Sequence, residues 1–144
     1  MAIYSIADVA TPASSGSPLW EIRTASTDAA LVLEAGISNG ADITPSAELF
    51  GFGVPAARGI TPTSPKTALT EQLGPTGTVT TATAWGTAPT APTNFLRRQR
   101  HFHFMSTQWT FPRGFLMAIS TSLVFWTVTV GTATAQQVYV VVDE

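Results

Sequence analysis

Cysteine is absent from this chain of 144 residues, and charge is scarce, with seven basic and nine acidic side chains making up only 11% of the residues. Without thiols there is no disulfide framework and no thiolate metal site, while the redox compartment stays open. Charge so far below the usual quarter or so of a soluble domain means that Thr, Ser, Ala and Gly, or another protein, must cover the surface. A net charge of −2 gives no general attraction to nucleic acid or to an anionic membrane, so neither is expected as a partner. The first residues lack a basic stretch followed by an apolar core, so no secretory signal is expected. The longest apolar run, residues 115–130, is too short for a spanning helix and is interrupted by Ser120, Thr121, Ser122, Thr127 and Thr129.

Catalytic signatures are missing too. There is no phosphate-loop Lys and no nucleophile elbow, and the acids are scattered, with only Asp143 and Glu144 adjacent, most simply a solvated chain end. Gly51, Gly53 and Ala56 match the spacing of a dinucleotide loop, but Pro55 and Gly59 deny it the helix that would have to follow. No enzyme and no cofactor is expected.

What is present reads as sheet. Residues 123–130 and 137–142 are β-branched and aromatic throughout, without the charged stripe of a surface helix. Residues 19–25 alternate, with Trp20, Ile22 and Thr24 on one face and Glu21, Arg23 and Ala25 on the other. Leu31, Leu33, Ala35 and Ile37 share a face of the next strand, where a short helix over 29–35 is the alternative. Gly51 and Gly53 inside a strand over 48–54 imply a bulge or a close backbone approach. Pro112, Arg113 and Gly114 imply a turn. Residues 55–77, rich in Pro and Gly, lack a pattern and are expected to face a partner or to hide a short strand. About eight to ten short strands separated by turns give an all-β fold, a jelly-roll or related antiparallel β-sandwich. Residues 1–18 read either as an extended arm on a Pro- and Ser-rich linker, using Ile3, Tyr4 and Ile6 to bind a neighbour, or as an ordinary first strand and loop. The sandwich domain proper would then be 19–144.

Two constellations carry possible chemistry. His101 and His103, the only histidines, would place both rings on one strand face about 7 Å apart. That pattern resembles the His-x-His of cupins, which are jelly-roll metal proteins. The Glu and third His of that family have no counterpart here, so no metal is assigned and both rings are expected to face solvent or a neighbouring subunit. Arg97, Arg98, Arg100 and Arg113 hold four of the seven basic side chains and alternate with Phe95, Phe102, Phe104, Trp109 and Phe111. Basic residues with aromatics suit single-stranded nucleic acid, but they are equally enriched in protein interfaces, which the negative overall charge favours.

The strings Thr80-Thr81-Ala82-Thr83-Ala84-Trp85-Gly86-Thr87-Ala88-Pro89-Thr90-Ala91-Pro92-Thr93-Asn94-Phe95, Trp109-Thr110-Phe111-Pro112-Arg113-Gly114 and Val138-Tyr139-Val140-Val141-Val142-Asp143-Glu144 resemble small virion structural proteins of tailed bacteriophages. That resemblance implies a jelly-roll-like capsid decoration or cement protein on the capsid surface. It would bind the major capsid protein and its own copies, commonly as a homotrimer. It implies no catalytic residues. The alternative is a tail or fibre sandwich that binds host carbohydrate with Trp20, Trp85 or Trp109 as stacking platforms.

Overall fold

The computed structural model describes residues 2–39, 47–63, 65–67, 69–70, 76–102, 106–130 and 135–144. Among these there is no helix, and so none long and apolar enough to cross a membrane. The described residues form thirteen strands in chain order: β1 (Ile3–Ala10), β2 (Ser17–Arg23), β3 (Ala30–Asn39), β4 (Ala47–Pro55), β5 (Ile60–Thr63), β6 (Lys66–Thr67), β7 (Leu69–Thr70), β8 (Thr80–Ala82), β9 (Ala84–Thr87), β10 (Pro92–Phe102), β11 (Ser106–Met117), β12 (Ser122–Thr129) and β13 (Gln136–Asp143). The helical alternative over 29–35 gives way to β3, whose Val32, Ala35 and Ile37 are buried in the core.

Four long strands precede the short ones and four follow, and they pair as a nested antiparallel hairpin: β1 with β13, β2 with β12, β3 with β11 and β4 with β10. The hairpin rolls up by pairing β13 with β3 and β12 with β4. One sheet therefore runs β11-β3-β13-β1 and the other β10-β4-β12-β2, which is the strand order of a jelly roll. The short strands belong to an insertion between β4 and β10. Within it β7 extends the first sheet beyond β1, β8 and β6 extend the second beyond β2, and β5 pairs with β9 as a separate ribbon. Residues 55–77 thus do hide short strands. The insertion lengthens one side of the sandwich, whereas β10 and β11 are the last strands on the other.

The two sheets contribute different chemistry to the core. β1, β3 and β13 supply Ile6, Val32, Ile37, Val138, Val140 and Val142, while β2, β4 and β12 supply Trp20, Ile22, Phe50, Phe52 and Phe125. Phe52 lies at the centre of the aromatic group, with its ring centroid 4.8 Å from Phe125 and 5.9 Å from Trp109 of the facing sheet. Burying a side chain of this size is worth about 1.5–3 kcal/mol.

Residues 3–10 take the strand alternative rather than the arm. β1 pairs with β13 at eight consecutive positions, and Ala2 and Glu144 extend the ladder through reciprocal backbone bonds of 3.0 and 3.2 Å. Tyr4 and Ile6, expected to reach a neighbour, are buried in this domain's own core, and only Ile3 of that trio is exposed. The linker is tied down as well, since Gly16 N donates to Thr127 O at 2.8 Å and Val130 N to Ser15 Oγ at 2.9 Å. Glu144 is not a solvated end: its carboxylate accepts from Thr78 N and Val79 N, both at 2.7 Å.

The expected turn at Pro112-Arg113-Gly114 is instead a bulge inside β11. Thr110 pairs with Glu34 and Phe115 with Val32, so the four residues 111–114 stand opposite Leu33 alone. Gly114 has φ +68°, a conformation that favours glycine. At Gly51 the close approach is real: an added Cβ would lie 2.3 Å from the Phe95 ring, and that ring occupies the space glycine leaves.

Candidate functional site

Four sets of polar groups were built from these strands, and they differ in what surrounds them. The first is the outward side of β2. Alternation places Glu21 and Arg23 on the solvent side, but Glu21 is fully buried because the insertion covers it. Its carboxylate accepts from Arg23 Nη1 at 2.8 Å, Trp85 Nε1 at 2.7 Å and Gly59 N at 3.0 Å, while Arg23 Nη1 also donates to Gly59 O at 2.8 Å. Burial and the nearby Arg23 hold the Arg58 guanidinium below its ordinary value, with Glu21 opposing them. This network pins the insertion to the sandwich. The sequence singled out Trp85 only as a possible sugar platform and gave Glu21 no role, although an acid and a base two apart share one strand face.

The second set is internal. His101, expected at the surface, is 1% exposed, stands opposite Glu48 in the β10–β4 ladder, and has its Nδ1 3.2 Å from Thr107 Oγ1. Its ring meets Phe50 edge-on at 5.9 Å. Gln136 Nε2 donates to the buried Glu48 at 3.3 Å. The reason for the correction is parity: the register shifts of β10 between Pro92 and Arg97 set which of its residues point inward. His103 lies outside the described residues, as do 104 and 105. Among the described residues no three His, Asp or Glu groups come together as metal ligands. The third set lies on the outer face of the first sheet, where Tyr139 OH donates to Glu34 Oε1 at 2.6 Å; burial first, then this carboxylate, push the phenol up to about 12.

The fourth set is the side formed by β10 and β11. Both strands are irregular there, β10 through its register shifts between Pro92 and Arg97 and β11 through its bulge. Bulges re-aim side chains, and here Arg97 from one strand and Phe111, Pro112, Arg113 and Gly114 from the other line a shallow groove of about 370 Å³. The Arg97 guanidinium lies 5.4 Å from the centroid of Phe111, and that of Arg98 lies 5.3 Å from Phe95. Such stacking holds a flexible cation in place without neutralising it. Among the described residues the ion pairs are Arg23 with Glu21 and Lys66 with Asp8, so Arg97, Arg98, Arg100 and Arg113 all lack a carboxylate partner. Each is exposed. Of the expected partner-binding residues, then, the structure brings Arg97 and Arg113 into one groove and leaves Arg98 and Arg100 nearby on β10.

Of the three aromatic platforms named for sugar stacking, the structure leaves Trp85 half-buried. Trp20 and Trp109 are buried in the core, and Trp85 is engaged with Glu21. Comparison of the chain with protein-family models, with curated proteins and with solved structures finds no match.

Proposed function

We propose that this chain is a non-enzymatic structural protein of a virion, a decoration or cement protein that binds the major capsid protein and its own copies on the capsid surface of a tailed phage. The observation that carries this reading is the distribution of arginine. Four of the seven basic side chains stand along one side of the sandwich without a carboxylate partner among the described residues, where the last strands of both sheets lie. Arg beside aromatic residues is what protein interfaces select. The likeness of its strings to phage virion proteins supplies the setting. A jelly roll alone does not choose among functions.

Co-sedimentation with undecorated capsid shells, paired with light scattering of the free protein, tests this reading. Saturable binding to shells and a trimer in solution are expected. A monomer that stays in the supernatant would refute it. Deleting residues 1–18 removes β1 from between β13 and β7, so that truncation is expected to unfold the domain rather than to free an arm.

A further inference from the structure

We infer that the groove between β10 and β11 is a carboxylate clamp: Arg97 and Arg113 take an acidic side chain of an extended partner segment that lies along this side of the sandwich. The inference rests on the decoration reading for its setting and adds the chemistry of the contact.

Three observations lead to it. The groove is built by irregularities on both strands at the same place, and one of them depends on a glycine with φ +68°. Bulges at sheet edges that aim side chains are features with a use rather than defects. Second, Arg97 is already oriented: its Nη1 donates to Leu96 O at 2.9 Å and its guanidinium carbon lies over the Phe111 ring. That leaves other guanidinium donors for a ligand and reduces the ordering cost of binding. Third, β10 and β11 are the outermost strands of their sheets, so each has a backbone edge with which an extended segment can pair. Arginines along such edges repel identical edges; a segment of opposite charge meets no such barrier.

A nucleic acid would also bring negative charge, and the groove favours the peptide. Phe111 and Phe95 each have a guanidinium over the ring, so neither offers that face for base stacking. Outside the four arginines, nine acids are set against only Arg23, Arg58 and Lys66, a balance that repels a long polyanion but tolerates a single carboxylate on a short segment.

The test uses the full chain and fluorescence anisotropy with three labelled probes: a peptide of alternating Glu and Thr, the same peptide with Gln for Glu, and an oligothymidylate of matching charge. The Glu peptide is expected to bind at least about tenfold more tightly than the other two, as charge-assisted pairing requires. The double substitution R97E/R113E is expected to abolish that preference, while Lys66→Glu on β6, at the opposite end of the second sheet, keeps most of it. Equal binding of the Glu and Gln peptides overturns the clamp, and so does tighter binding of the oligothymidylate. Both of those results come from the unsubstituted protein and stand whether or not the variants fold. If shells bind and the Glu peptide does not, the clamp fails while the decoration reading survives; if the peptide binds and shells do not, the reverse holds.

Discussion

Arg23 and Arg58 beside β2, and Arg97 and Arg113 between β10 and β11, are the same chemical group under opposite conditions. The first two sit around one fully buried carboxylate, and Arg23 spends its donors on Glu21 and Gly59 within the fold. The second two are exposed, held by ring contact or strand geometry, and paired with no acid among the described residues. Where the insertion covers a sheet face, charge is used to attach one part of the chain to another. Where no described residue covers the sandwich, the charge stays exposed. Removing a carboxylate should therefore damage the fold on one side, and removing cations should damage only binding on the other.

The largest effect is expected at Glu21. Glu21→Gln leaves Arg23 without its counter-charge in a buried site, which costs about 3–5 kcal/mol, and a thermal melt should show the loss directly. An unchanged melting temperature would mean that the network does not hold the insertion. Next comes the bulge. Gly114→Ala forces a left-handed conformation on a residue with a Cβ, at about 1–2 kcal/mol, and sets that Cβ 3.1 Å from Leu31 Cβ. Both stability and preference for the Glu peptide should fall together; loss of stability alone would separate the bulge from the groove.

A smaller and local effect belongs to Tyr139. Its phenol, neutral in the fold, titrates near 12 instead of 10. A group whose folded value is raised contributes stability that is fully present below about pH 10 and lost as pH rises towards 12. Absorbance titration of a Tyr4→Phe background should show this late phenolate, and Glu34→Gln should bring it back towards 10. The smallest effect on the fold is expected from R97E/R113E, within about 0.5 kcal/mol as for other exposed sites. That indifference is what the comparison requires.

The sandwich was legible because its signals are local. The Val-rich alternation of β13 and the apolar run of β12 name a half-buried and a buried strand without any tertiary information. The basic cluster was legible for the same reason, since three of its members lie within one strand. Three things were not. Whether Ile3–Ala10 is an arm or a strand depends on a partner strand more than a hundred residues away, β13. His101 faces inward because bulges reset the parity of β10, and no local pattern announces a bulge in Phe95–Arg97. Glu21 is buried by an insertion with residues of low pattern, so its strand reads as half exposed until Gly59 and Trp85 are placed on it. That Arg113 joins Arg97 follows from the bulge at 111–114, which the Pro and Gly there suggested as a turn.

The most direct test of the difference between the two sets of arginines is one variant measured twice: R97E/R113E, first in a thermal melt and then in co-sedimentation with undecorated shells. A melting temperature equal to that of the unsubstituted protein, together with loss of shell binding, is the expected result. Retained binding by the folded variant would contradict the assignment of this side as the surface that meets the capsid.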